Sequence, residues 1–252
     1  VALYAATTTT TGNVQVNNTL TTGTGNVTID AKNEVNLSKT IVSTSGNINV
    51  KGDTITHSTG SLSTPLKLQT GSAGSITVAA NGVGGFVMGQ YYSYQSDTGT
   101  IAITSGGTAD LANITTNGRL SVDAVGLVQQ VGAGSILSAD ELGVTAASNG
   151  VITLANVSND LNKVKLLSRN VANNDVGSGV ITFNDVNGFA VSKISTSGNA
   201  TLTANGAITT DAVTFGDGAV VADTLTAKTF NAAGADITLT AAGNDVNSLS
   251  LY

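Results

Sequence analysis

The sequence predicts an all-β protein, a right-handed parallel β-helix (β-solenoid) with roughly 20 residues per coil. Three observations predict it. Short glycine-led strands recur along the chain: GNVTI at Gly25–Ile29 returns as GNINV at Gly46–Val50. Inside each unit apolar residues alternate with Thr or Asn, as in VTI (27–29), VNL (35–37) and TIV (40–42), which is the period of a strand. Helix-period patterning is almost absent, ADELGVTAA (139–147) being the nearest candidate and a short one.

Taken in order, the glycine-led strands are Gly12-NVQV, Gly25-NVTI, Gly46-NINV, Gly74-SITV, Gly99-TIAI, Gly118-RLSV, Gly150-VITL, Gly179-VITF and Gly198-NATL, with Asp236-ITL closing the series. Several intervals match one coil, and the longer ones imply insertions or an unmarked coil. Three strands fit between Gly25 and Gly46, and similar residues recur one unit later. That is the signature of strands stacked in parallel on their equivalents, not of hairpins, which would show turns every 8–12 residues and bulkier inward aromatics. A left-handed solenoid would carry a strict hexapeptide period, which is not visible. Gly and Asn suit tight corners because they tolerate left-handed backbone angles. The single proline, Pro65, leaves strand N–H groups free to donate. The whole of 1–252 reads as one rod segment. A loop insertion is expected at 80–97, where GVGGFVMG (82–89) interrupts the long gap between Gly74 and Gly99.

Composition narrows the function classes. Charged residues make up 10% and aromatics 4%, so the polar surface is built from Thr, Ser and Asn, and no large aromatic core is available. Net charge is −6 with ten Lys and Arg, too few for a basic stripe that tracks phosphates, and nucleic acid is not an expected partner. No apolar run approaches the roughly 20 residues that span a bilayer. The chain opens Val1-Ala2-Leu3-Tyr4 without Met, which reads as a processed or excised piece. Cysteine is absent, excluding disulfides and Cys-ligated zinc and suiting export in an unfolded state.

The chemistry-bearing residues are few. His57 is the only histidine and sits in a run of Thr, Ser and Gly. The closest acidic groupings, Asp30/Glu34 and Asp140/Glu141, do not recur at matching strand positions as a hydrolytic groove requires. Asn159-Asp-Leu-Asn-Lys-Val-Lys-Leu166 is echoed by Asn244-Asp-Val-Asn-Ser-Leu-Ser-Leu251 and by Asn184-Asp-Val-Asn-Gly-Phe-Ala-Val191. Oxygen ligands of this kind suit calcium, but one carboxylate per repeat favours corners capped by Asn and Asp, with asparagines laddered between coils. The expectation is no catalytic, metal or cofactor site. Tyr91, Tyr92 and Tyr94 are the candidate partner-binding residues, since a flat apolar ring with a hydroxyl suits interfaces and sugar stacking; the alternative is a local cover over the coil. A threonine row of the ice-binding kind is hinted at by TLT at 201–203 and 238–240 but is broken by VQV, INV and RLS.

GNVTIDAKNEVNLSKTIVSTSGNINV (25–50), NATLTANGAITT (199–210) and ITLTAAGNDVNSLSLY (237–252) resemble the repeat regions of large secreted bacterial exoproteins. These are the filamentous-haemagglutinin and HMW-type adhesins of two-partner secretion and the related autotransporter passengers. The NPNG- and NPNL-type motifs of the family's secretion domain are missing, which fits an internal or C-terminal rod segment. The resemblance implies a right-handed parallel β-helix, export through an outer-membrane transporter, and a bacterial surface location. It also implies attachment to host-cell or bacterial surface glycans or proteins, or self-association. It allows glycosylation at the six sequons, Asn17, Asn26, Asn36, Asn113, Asn156 and Asn199. A self-assembling filament subunit and a carbohydrate-active β-helix enzyme are the competing readings.

Overall fold

Alternation puts one side chain in two on the inside of every short strand, and the inward set is Val, Ile, Leu and Ala almost throughout. The computed structural model describes residues 1–5, 12–58, 65–132, 134–211, 215–231 and 234–252, and the elements in them are all strands. They pair in parallel and build a β-solenoid of about 23 residues per coil. The chain divides into two compact units, Val1–Ala124 with Val131–Ser138, and Val125–Gln130 with Ala139–Tyr252.

The first unit has three faces. On face A the inward column runs Val27, Ile48, Ile76, Ile101, Leu120. Face B stacks Val14, Val35, Ile55, Phe86 and Ala109. Face C stacks Leu20, Ile41, Leu68, Tyr94, Ile114 and Leu137. Backbone donors reach the next coil, as in Ile48 N–H to Ser75 O and Ile76 N–H to Thr100 O, both 3.0 Å. The second unit repeats the plan. Its face D stacks Val128, Ile152, Ile181, Ala200, Leu225 and Leu249. Face E stacks Phe189, Ile208 and Ile237, and face F carries Ser195, Val221 and Asp245.

The glycine-led series now has a physical cause. Between faces C and A the chain turns a corner, and the glycines at that corner lie directly over one another. A Cβ on Gly46 would stand 2.4 Å from Gly25 O, and one on Gly99 only 2.0 Å from Gly74 O. In the second unit a Cβ on Gly179 would meet Gly150 O at 2.0 Å. The intervals 21, 28, 25 and 19 between Gly25, Gly46, Gly74, Gly99 and Gly118 are therefore coil lengths, matching Val27 against Ile48 and onward. Two members of the series belong elsewhere. The strand after Gly12 pairs with Glu34–Leu37 on face B, and Ile237 pairs with Ile208 on face E. The mean coil exceeds 20 residues because some coils are lengthened, as where Ile152 stands against Ile181 and the exposed turn at 171–175 adds length.

A column of inward hydroxyls locks the corner. Thr116 Oγ1 donates to Gly99 O of the preceding coil (2.7 Å) and accepts from Gly118 N–H of its own (3.0 Å). Thr196 does the same between Gly179 O (2.6 Å) and Gly198 N–H (2.9 Å). Ser43 and Ser96 occupy equivalent positions and donate to Gly25 O and Gly74 O. Thr116→Val keeps the shape but takes the partner from the buried Gly99 O and the half-buried Gly118 N–H, so the loss should be about 1–3 kcal/mol in urea unfolding. The outward Thr115→Val should stay within about 0.5 kcal/mol of the parent. Exposed asparagines bridge coils as well: Asn26 Oδ1 accepts from Asn47 N–H and Asn47 Oδ1 from Ser75 N–H, both at 2.9 Å.

The expected insertion at 80–97 is not a loop. One strand runs Ile76–Val87 and the next Tyr92–Ser96, leaving only a short turn at 88–91. The glycine-rich run lets a single strand pass from face A to face B. Gly85 takes φ +73°, with Thr108 O of the next coil 2.5 Å from where a Cβ would lie.

Candidate functional site

Tyr92 and Tyr94 alternate with outward Ser93 on a face C strand, so both rings point inward and are fully buried. They stack on Leu66 and Leu68 of the preceding coil. The expectation that they meet a partner is therefore corrected: they fill the core, and neighbouring Tyr91 is half-buried. His57 is likewise not in a turn. It ends the strand Ile48–His57 at the inward position that Leu37 occupies one coil earlier.

These residues form an aromatic cluster. The His57 ring lies 4.5 Å from Tyr92, and 5.5 Å from both Phe86 and Tyr94, between ring centroids. His57 Nδ1 is 2.7 Å from Val87 O, an atom that only accepts, so Nδ1 carries the proton. Nε2 then accepts the Tyr94 hydroxyl at 2.7 Å. Tyr92 OH donates to Lys39 O at 2.9 Å. Burial pushes His57 down to about 4, against a smaller upward pull from its bond to Val87. Burial also raises both tyrosines above their ordinary range. With both ring nitrogens engaged and His57 only 8% exposed, the cluster packs the core of the first unit.

The acidic groups are spent between coils. Asp30 faces Lys51 at 4.0 Å, and Glu34 accepts from Thr56 Oγ1 at 3.0 Å. Asp140 accepts from Asn162 at 3.0 Å, and Glu141 pairs with Lys163 at 3.6 Å. The Asn-Asp echoes divide. Asn159 and Asn244 build the same corner: each donates its N–H to the carbonyl three residues back and its amide to the carbonyl five back (Leu154 O, 3.2 Å; Leu239 O, 2.9 Å). Asn184 instead lies within the strand Ile181–Asp185.

Asp185 is the buried carboxylate of the second unit. Leu161 N–H donates to Oδ2 (2.9 Å) and Asn187 N–H to Oδ1 (3.0 Å). Burial nevertheless raises it to about 6, helped by Asp160 and opposed by those two bonds. It forms part of the wall of a recess of about 500 Å³ at the edge of face D, lined by Val157, Asn184, Val186, Thr203, Ala204, Asn205 and Phe230 as well. A mostly apolar hollow of that size with a few convergent polar groups is the usual form of a small-ligand site. The sequence reading missed it. Asp185, Ala204 and Thr229 share one column in successive coils, and the corner residues after them, Val186, Asn205 and Phe230, converge only through that register. The sequence signal for it was single apolar residues beside asparagines, Val157, Val186 and Phe230.

A second recess, of about 340 Å³, opens in the final coil between Val220, Leu225, Ile237, Leu239, Asn244, Val246, Leu249 and Leu251. Among the described residues no group of His, Asp and Glu is placed to hold a metal ion.

Fold and register define a parallel β-solenoid built from repeats. The chain belongs to the family described as repeats of unknown function (DUF5649), which matches residues 98–168 and 177–251, over half its length. The two matched stretches finish within a few residues of the ends of the Asn159 and Asn244 echoes. No curated protein and no solved structure matches the chain.

Proposed function

We propose that the chain is a structural and adhesive segment of a large secreted bacterial surface exoprotein, exported through an outer-membrane transporter and mediating attachment or surface assembly. The observation that supports it best is the outer surface of face D. Thr153, Thr182, Thr201, Thr226 and Ser250 stand in one outward row across successive coils. The parallel rows beside them bring Asn184, Thr203 and Lys228, a single charge. Such a face is polar without being ionic, and stacking alone generates it. The resemblance to exported adhesins and the absence of cysteine point the same way.

Beads coated with the chain should attach to cultured epithelial cells or to bacterial cells, and soluble chain should compete. Coated beads that attach to neither better than bare beads would end the adhesive reading. A self-assembling extracellular filament is the competing reading within the same structural class. Electron microscopy of the purified chain separates them, since polymers of indefinite length support the filament and discrete particles at every concentration exclude it. The carbohydrate-active enzyme reading has less support, because Asp30, Glu34, Asp140 and Glu141 each engage a neighbouring coil.

A further inference from the structure

We propose that the recess at the edge of face D binds the ring of an uncharged sugar, a neutral pyranose. The proposal rests on the adhesive reading, whose partner it names. Three apolar side chains that ordinary burial would hide are left out at this corner: Val157 is 69% exposed, Val186 41% and Phe230 58%. Each comes from a different coil, and the register of face D brings them around one hollow. A pyranose ring presents an apolar face of C–H groups and a rim of hydroxyls. An aromatic ring beside small aliphatic groups matches the first of these.

The rim is matched by neutral amides and a hydroxyl. The Thr203 hydroxyl and the Asn205 side-chain amide make no hydrogen bond among the described residues, and the Asn184 side chain uses only Nδ2, donating to Ala155 O at 2.6 Å. These groups line the recess with unspent donors and acceptors. The charges argue for an uncharged ring. Lys228 Nζ sits 4.3 Å from the centroid of Phe230, held by the π face and covering part of it. The Asp185 carboxylate in the wall, with Asp160 close enough to act on it, repels an anion. The volume of about 500 Å³ lies within the usual range for such sites.

Saturation-transfer NMR on the full chain at pH 7 tests this, with D-glucose, D-galactose and N-acetyl-D-glucosamine as probes and D-glucuronate as the charged comparison. At least one neutral sugar should receive saturation at its ring protons. Phe230→Ala should weaken that binding about fivefold to tenfold, and Phe230→Trp should keep it. Asn205→Ala, a change in an exposed side chain, should weaken it too, and glucuronate should bind less well than glucose. Silence from all three neutral sugars would overturn the proposal. So would undiminished binding in both the Phe230→Ala and Asn205→Ala variants, or glucuronate binding as well as glucose. Failure here is distinct from failure of the adhesive reading. Beads that attach while no sugar binds remove the recess alone, and sugars that bind while beads do not attach remove the adhesive role alone.

Discussion

Gly99→Ala is expected to destabilise the first unit by about 3 kcal/mol or more, the upper end of overpacking penalties. The added Cβ would lie 2.0 Å from Gly74 O, 2.6 Å from Gly74 C and 2.7 Å from Ser96 Oγ. Two of these are backbone atoms of the neighbouring coil, so no side-chain rotation relieves the clash. Relief requires the coils to separate at the corner. That separation breaks the Ser96 bond to Gly74 O and strains the ladder from Ile76–Ala80 to Ile101–Ser105. In a solenoid each coil is held by its neighbours, so damage to one interface is not compensated elsewhere. Gly23→Ala is the control. Its Cβ meets nothing within 4 Å, and reduced freedom of the unfolded chain makes the change neutral or stabilising by up to about 1 kcal/mol. Urea titration of both variants checks the difference, and equal midpoints would refute the stacked-glycine explanation.

That glycine column is also why so much of the fold was legible. A position where a carbonyl of the preceding coil occupies the Cβ site can only be glycine, so Gly46, Gly74, Gly99 and Gly118 mark the coils in the sequence itself. The same residue type misled where its cause differed. Gly82, Gly84, Gly85 and Gly89 resemble a loop by composition, yet three of them sit inside a strand at close approaches to Asp53, Thr54 and Thr108. Reading that run as an insertion pulled Tyr92 and Tyr94 out of the core, although Tyr92-Ser93-Tyr94 obeys the same alternation as every other strand. His57 was misplaced for a related reason, since an inward polar residue cannot be told from a turn residue until its partner Tyr94 is in place 37 positions away. The recess was less legible still. Val157, Val186 and Phe230 meet only if the coil lengths between them are known, and those lengths vary, from Ile181 against Ala200 at 19 positions to Ile152 against Ile181 at 29.

His57 should make the first unit acid-labile while the second gains stability over much of the same range. Above pH 6.5 the imidazole is neutral whether the chain is folded or not. As pH falls through 6.5 the unfolded chain takes up a proton, and the folded chain resists until about 4 because burial disfavours the charged ring. Stability is therefore lost between pH 6.5 and 4, by about 3 kcal/mol in total. The groups packed on the imidazole, Phe86, Tyr92 and Tyr94, carry no charge to offset this. Asp185 in the second unit has the opposite sign. Its folded value of about 6 lies above the ordinary 3.8, so its contribution is complete below 3.8 and is lost as pH rises through 6. A whole-chain melting curve would blend the two trends. Amide hydrogen exchange, corrected for intrinsic rates, separates them. Protection in Ile48–His57 and Tyr92–Ser96 should fall between pH 6.5 and 4, while protection in Asp160–Ser168 and Ile181–Asp185 should hold or rise. His57→Phe removes the titrating group but strands the Tyr94 hydroxyl, at a cost of about 1–3 kcal/mol. The variant should be the less stable chain at pH 7 and yet lose less on acidification. If its first unit weakened with pH as steeply as the parent's, the acid lability would have to originate outside the His57 cluster.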